Sequence, residues 1–255
     1  MTDEPDYTVD ATETSLAILE RLVDVTDPLG VTALADHADV SKSVAHNHLA
    51  TLQANGYVRK QGDRYAPTLH SLDLGVRTRN RIDIYRAAKK QLHNLAAATG
   101  ETTTLSILEG TAGVPVSIAG TDDGWTPPFN EGASLPLHVN APGNAILASL
   151  PPERVESILD ATELVGHTDA TITDSDALVE KLNSVRDDGI AFCRGEHYQG
   201  IVGVAAPLPS ISGSRTAALG VCGPVERLNG RYLEEDITGQ VLSTAKSIQV
   251  ELTAD

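Results

Sequence analysis

Cys193 and His197 could perform chemistry together, because a thiol and an imidazole four residues apart can act as a nucleophile and its base. If this segment is a β-strand, both side chains lie on the same face. However, the sequence marks no oxyanion hole and no third residue that would orient the imidazole. We therefore expect no enzymatic activity.

His46 and His48 are a second pair with possible chemistry. On a helix, residues two apart point roughly 200 degrees away from each other, which argues against a shared metal ion. The two cysteines, Cys193 and Cys222, form neither a CxxC motif nor a disulfide-dense pattern. We predict free thiols, no metal site and no cofactor.

Positive charge is concentrated in one segment. Residues Lys42 to Lys90 include ten basic and three acidic residues, a local net charge of +7, whereas the whole chain carries −16 and the remainder therefore −23. Because Lys and Arg supply affinity for phosphates, this asymmetry predicts a nucleic-acid-binding face. The acidic excess elsewhere, with little Lys, is typical of salt-accumulating halophiles, and we expect a haloarchaeal source.

The chain has no apolar run near the roughly 18 to 20 residues of a membrane-spanning helix. Its first ten residues, MTDEPDYTVD, are acidic, whereas a secretory signal begins with basic and then apolar residues. We expect a cytoplasmic protein that does not contact a membrane.

The N-terminal part is predicted to be a winged helix-turn-helix over residues 13–67, after a disordered acidic tail over 1–12. Apolar residues recur at helical spacing after Thr12 or Thr14, either of which can cap a first helix. Ser41 caps a third helix, whose inward side chains are predicted to be Val44, Ala45, Leu49 and Leu52. A Gly-Asp turn then joins two short basic strands as a hairpin.

The third helix and the hairpin carry the side chains that we expect to contact DNA. Short polar side chains suit base edges, and Asn can pair with adenine through two hydrogen bonds. Basic side chains in the hairpin suit phosphates or the minor groove. The predicted set is Ser41, Lys42, Ser43, His46, Asn47, Thr51, Arg59, Lys60 and Arg64.

The remaining chain is predicted to be a linker helix over 68–99 and a mixed domain of strands and helices over 100–255. The linker is amphipathic, with Leu72, Val76 and Leu92 among its apolar residues. The predicted fold class is therefore α+β, and the second domain has a suitable size for binding a ligand.

Several motifs make the chain resemble the IclR family of bacterial and archaeal transcriptional regulators over nearly its whole length. They are SKSVAHNHLATLQANGYV, RYAPTLHSLDLG, PLHVNAPGNAILASLP and RDDGIAFCRGEHYQGIVGVAAPL followed by ALGVCGP. The resemblance implies a GAF-like effector domain, a homodimer or homotetramer, and binding to palindromic double-stranded operators. It also implies Arg where Asn47 stands, so operator preference should differ from the family's usual one.

The resemblance further implies an effector pocket in the second domain. Its expected residues are His138, Asn140, Ala141, Pro142, Gly143, Asn144, Cys193, Glu196, Gly203, Gly220 and Cys222. Departures from the family pattern at Asn144, Cys193, Gly203, Gly220 and Cys222 remove charge, hydroxyls and volume.

From these departures we expect a small polar effector, namely a sugar, a sugar acid or an organic acid, larger than two- or three-carbon keto acids. Arg194 could contact a carboxylate if it points inward. Trp125 and Phe129 could form a lid or a subunit contact. The alternative function is a GAF-like sensor without its own DNA target.

Overall fold

The computed structural model describes residues 7–121, 125–208 and 215–254, which form two compact units, Met1–Arg81 and Ile82–Asp255. No helix among these residues is long and apolar enough to cross a membrane. The predicted α+β class is confirmed. Residues 1–6 of the predicted tail lie outside the described part, whereas residues 10–12 belong to the first helix.

The first unit contains four helices and a three-stranded antiparallel sheet. Its elements are α1 (Asp10–Asp24), β1 (Leu29–Gly30), α2 (Val31–His37), α3 (Lys42–Ala54), β2 (Val58–Gln61), β3 (Arg64–Pro67) and α4 (His70–Asn80). The sheet has the order β1-β3-β2. Helices α1 to α3 and this sheet enclose a core that includes Ile18, Leu34 and Leu49. This arrangement is the predicted winged helix-turn-helix.

Two local predictions in this unit were wrong. Helix α1 begins after Val9, which makes no side-chain capping bond, rather than at Thr12 or Thr14. Val44 is 40% exposed because the inward stripe of α3 consists of Ala45, Leu49 and Leu52 alone. The predicted cap of α3 is present, since the Val44 N–H donates to Ser41 Oγ at 3.3 Å.

The second unit is a six-stranded antiparallel sheet with helices on both faces. Its helices are α5 (Asp83–Thr99), α6 (Ala141–Ser149), α7 (Pro152–Asp160), α8 (Ser175–Asp188) and α9 (Thr238–Ala254), preceded by a π-helical turn (Tyr232–Ile237). Its strands are β4 (Thr102–Glu109), β5 (Ala112–Ala119), β6 (Leu135–Pro136), β7 (Ala191–Arg194), β8 (Ile201–Leu208) and β9 (Ala217–Pro224), in the order β6-β5-β4-β9-β8-β7.

The two faces of this sheet carry side chains of different size. One face is rich in Leu, Ile and Val, such as Leu105 and Val204, and packs on α5 and α9. The Thr103 hydroxyl on this face donates to the Leu92 carbonyl of α5 at 3.1 Å. The other face carries small residues such as Ala205 and Ala218, against which α6 packs. Small side chains let a helix backbone come close to the strands.

The predicted single linker helix is in fact two helices. Helix α4 ends at Asn80, and Ile82 adopts an extended conformation (φ −90°, ψ 111°) before α5 begins. The physical reason is packing: α5 buries seven residues in the second unit, whereas α4 buries none. Helix α4 accordingly belongs to the first unit and α5 to the second.

Gly143, one of the predicted effector residues, is required by packing between α6 and the 3-10 turn Leu137–Val139. A Cβ at Gly143 would lie 2.2 Å from the Leu137 carbonyl oxygen and 2.6 Å from its Cα. Both atoms belong to the backbone, so neither can move without displacing the turn.

Gly143→Ala is therefore expected to lower the free energy of unfolding by about 3 kcal/mol, as overpacking does in a closed core. Urea denaturation measures this loss. Gly239→Ala is the control, because a Cβ there meets no atom within 4 Å and α9 gains helix propensity. Equal stabilities of the two variants would contradict the packing argument.

Candidate nucleic-acid interface and effector cavity

The predicted DNA-reading residues of α3 all lie on its exposed side. Ser41, Lys42, Ser43, His46, Asn47 and Thr51 are exposed, while Ala45, Leu49 and Leu52 face the core. The Thr51 hydroxyl donates to the Asn47 carbonyl within the helix at 3.0 Å. The side chains of His46 and Asn47 are available for contacts with base edges.

His48 has a structural position. Its Nδ1 lies 2.7 Å from the Ser15 hydroxyl of α1, and the residue is partly buried, so it ties α1 to α3. It does not join His46 in facing solvent. The two histidines therefore have separate environments, as their spacing predicts.

The hairpin β2–β3 exposes Arg59, Lys60 and Arg64. Arg64 donates to the Pro28 carbonyl at 3.0 Å, which fixes the hairpin to the segment before β1. Lys60 lies over the Tyr65 ring, 5.7 Å from its centroid. Of the three, Arg64 already has a structural partner.

The basic segment that suggested nucleic-acid binding spans both units. Seven of its ten basic residues precede Ile82, and the last three, Arg86, Lys89 and Lys90, lie on α5 in the second unit. The unit that carries α3 thus contains seven of the ten basic residues.

In the second unit, a cavity lies between the small-residue face of the sheet and the N-terminal end of α6. Its volume is about 50 Å³, and the wider empty space of about 560 Å³ around it includes open solvent. Seven of the predicted effector residues line it: Asn140, Ala141, Pro142, Cys193, Gly203, Gly220 and Cys222.

The other four predicted effector residues lie behind the cavity wall and have structural partners. His138 Nε2 donates to the Val165 carbonyl at 3.1 Å, and the Asn144 amide donates to the Asn140 carbonyl at 2.8 Å. Glu196 accepts a 2.8 Å bond from Lys181 Nζ. Gly143 packs on Leu137.

The two glycines of the lining differ in what surrounds them. A Cβ at Gly220 would lie 2.9 Å from Cγ of Pro142, so α6 already fills that space. A Cβ at Gly203 would meet Ala141 and Cys222 at ordinary contact distances of 3.5 and 3.6 Å. The expectation of extra volume was therefore wrong at Gly220, whereas Gly203 leaves room for one carbon atom.

The polar groups expected to bind an effector are also largely engaged. The Asn140 side chain caps α6, accepting from the Gly143 N–H at 2.7 Å and donating to the Pro136 carbonyl at 2.7 Å. The Cys193 thiol donates to the Val139 carbonyl at 3.2 Å. Arg194 pairs with Glu234 at 3.1 Å and lies over Phe192, so it does not point inward.

Sequence reasoning missed several residues of the lining. Thr104 and Ser106 on β4 contribute hydroxyls, and Leu135, Val139, His197, Tyr198, Ile201, Val202 and Val221 were likewise not assigned to the effector pocket. The alternation of β4 was a signal for the two hydroxyls, because residues two apart share a face. Trp125 and Phe129 line the cavity, whereas Asp122, Asp123 and Gly124 before them lie outside the described residues.

The electrostatics of the lining do not suit nucleophilic catalysis. Burial raises the pKa of the Cys193 thiol to about 12, so it stays protonated at neutral pH. Burial, with His167 and His138 nearby, lowers the pKa of His197 to about 4, so its imidazole is neutral. A thiolate needs a stabilising positive charge, and this pair supplies none.

Two family models together match most of the chain. Residues 11–62 match the IclR helix-turn-helix domain, and residues 76–250 match the bacterial transcriptional regulator IclR C-terminal domain. Both describe transcriptional regulators, so the prediction of a DNA-binding regulator rather than an enzyme is confirmed.

Individual proteins agree with the models. The chain is 31% identical to the HTH-type transcriptional regulator BhcR of Paracoccus denitrificans over 242 residues, 93% of this chain and 85% of the relative. A transcriptional regulator from Rhodococcus superimposes with a TM-score of 0.85 at 26% identity, covering 97% and 99% of the two chains. IclR of Thermotoga maritima gives a TM-score of 0.82 at 26% identity, covering 95% and 98%. The chain belongs to the IclR family of DNA-binding transcriptional regulators.

Proposed function

We propose that the protein binds a palindromic operator as a homodimer through α3 and the β2–β3 hairpin, and that an effector in the cavity changes its affinity for that operator. The observation that carries the DNA part of this proposal is the exposure of all nine predicted contact residues on α3 and the hairpin. A single helix-turn-helix reads few bases, so a two-fold arrangement is the usual route to specificity.

Within this interface, Asn47 is the residue we assign to base reading. It is exposed in the middle of α3, and its amide can pair with adenine through two hydrogen bonds. Arg59 and Lys60 are assigned to phosphates, because they are exposed on the hairpin and neither forms an ion pair with a described residue. Arg64 makes a smaller contribution, because it also holds Pro28.

Two apolar surfaces of the first unit support dimerisation. On α1, Leu16 and Val23 lie seven residues apart and are 52% and 58% exposed. Leu69, just before α4, and Leu72 on α4 are 79% and 61% exposed, and the helix has no buried residue. Exposed apolar stripes of this kind on soluble proteins mark contacts with a partner, and a second copy would cover them.

Replacing Arg59 and Lys60 together by Ala is expected to weaken binding to every DNA sequence and to reduce the slope of log K against log salt by about 2. Gel shifts on DNA upstream of the gene, at several salt concentrations, measure both effects. Arg231→Ala with Lys246→Ala is the matched control, because it removes two positive charges from the second unit. An unchanged slope in the hairpin variant would disprove the assignment, as would an equal change in the control.

Leu72→Asp is expected to shift the oligomer toward a monomer of 26.9 kDa and to lower operator affinity at least tenfold, because a carboxylate opposes apolar contact. Light scattering at micromolar concentration measures the mass. Val179→Asp is the control, since Val179 is also exposed, at 40%, but lies on α8. A wild-type monomer, or a Leu72→Asp variant of unchanged mass, would refute the assigned dimer contact.

A further inference from the structure

Two buried hydroxyls in the cavity have no protein partner. Thr104 and Ser106, 3% and 4% exposed, lie two residues apart on β4 and line the cavity. Neither side-chain hydroxyl has a hydrogen-bond partner in the part of the chain that the structure describes, whereas the hydroxyl of the preceding residue, Thr103, donates to the Leu92 carbonyl. Both oxygens keep some accessible surface in the cavity, so they are available to a ligand.

The cavity offers no positive charge to a carboxylate. None of its described lining residues is Lys or Arg. Lys181, whose charge acts on Cys193, is paired with Glu196 at 2.8 Å, and Arg194 is paired with Glu234 on the other face of β7. His197, the imidazole in the lining, is uncharged at neutral pH because its pKa is lowered to about 4 by burial and by His167 and His138.

The N-terminus of α6 does not replace the missing cation. Pro142 has no N–H, and the Gly143 and Asn144 N–H groups already bond to the Asn140 side chain and carbonyl, at 2.7 and 3.0 Å. Of the first four helical residues, Ala141 alone keeps a free N–H. An anion is held at a helix end by several converging N–H groups, and here they are occupied.

Asn140, His197, Tyr198 and the two thiols border the cavity, and most of the remaining lining is apolar. Trp125, Phe129, Leu135, Val139 and Ile201 surround the space above the two hydroxyls. A sugar would leave most of its hydroxyls against carbon, and unpaired polar groups are costly to bury. A carboxylate would lose its hydration without gaining an opposite charge.

We propose that the effector is a small uncharged molecule with an apolar body, whose hydroxyl or carbonyl group hydrogen-bonds to Thr104 and Ser106. This inference rests on the proposed function, because it assumes that the cavity is the effector site. It departs from the predicted set of sugars, sugar acids and organic acids, because the lining disfavours both carboxylates and molecules with many hydroxyls. Thr104 and Ser106 are then the residues that determine specificity.

Three pairs of compounds that differ mainly in charge test the inference on the full chain. They are 4-hydroxybenzaldehyde with 4-hydroxybenzoate, methyl pyruvate with pyruvate, and xylose with xylonate. Thermal shift and operator gel shifts are recorded with each compound at about pH 6, where the phenol of 4-hydroxybenzaldehyde is protonated and the carboxyl groups of the acids are ionised. We expect 4-hydroxybenzaldehyde to raise Tm and change operator affinity, with a Kd at least tenfold lower than that of 4-hydroxybenzoate.

Single-residue variants test whether Thr104 and Ser106 hydrogen-bond to the ligand. Thr104→Val and Ser106→Ala remove one hydroxyl each without adding volume, so each should raise the Kd for 4-hydroxybenzaldehyde at least tenfold while the Tm without ligand stays equal or rises. Thr103→Val is the matched control on the same strand: it breaks the bond to Leu92 and should lower Tm while preserving the preference for the uncharged compound.

The outcomes distinguish a failure of the uncharged-effector inference from a failure of the cavity as the effector site. Tighter binding of the acids, with a change in operator affinity, would overturn the inference and leave the cavity as the effector site. Unchanged affinity in Thr104→Val and Ser106→Ala would overturn their role as anchors. If no compound of the six changed Tm or operator affinity, both the inference and the cavity's assignment as effector site would be rejected.

Discussion

The close contact between α6 and the small-residue face of the sheet is the constraint on which the second unit depends. At Gly220 a side chain would collide with Pro142, and at Gly143 it would collide with the Leu137 backbone. With both glycines in place, the helix end reaches the strands and closes the cavity on one side. At this contact the Asn140 side chain caps α6 by accepting a hydrogen bond from the Gly143 N–H. Its amide oxygen is therefore already engaged and does not bind a ligand.

Much of the fold could be predicted because local signals agree with tertiary packing. The Ser41 cap, the turn at Gly62 and the inward positions of Ala45, Leu49 and Leu52 all indicate the winged helix-turn-helix, and each is present, whereas the predicted inward position of Val44 is not. The break at Ile82 could not be predicted, because neither Gly nor Pro marks it. The break occurs because α5 packs into the second unit and α4 does not. This packing depends on residues far away in the sequence.

The residues of the cavity could likewise be predicted only in part from the sequence. The resemblance of the motifs to the IclR family correctly identified seven residues that line the cavity. The resemblance did not show that the side chains of Asn144 and His138 donate hydrogen bonds to backbone carbonyls. Such bonds depend on the direction in which each side chain points. Thr104 and Ser106 were missed because a strand rich in Thr is common, and burial on both faces becomes visible only after the helices are placed.

Strand β4 has a further consequence, because adjacent residues on it serve opposite faces of the sheet. Thr104 faces the cavity, and Thr103, one peptide away, holds the middle of α5 through the Leu92 carbonyl. Successive side chains of a strand point to opposite faces, so a single peptide of β4 separates the cavity from the attachment of α5. Strand β4 therefore joins the cavity directly to α5, the helix with which this unit begins.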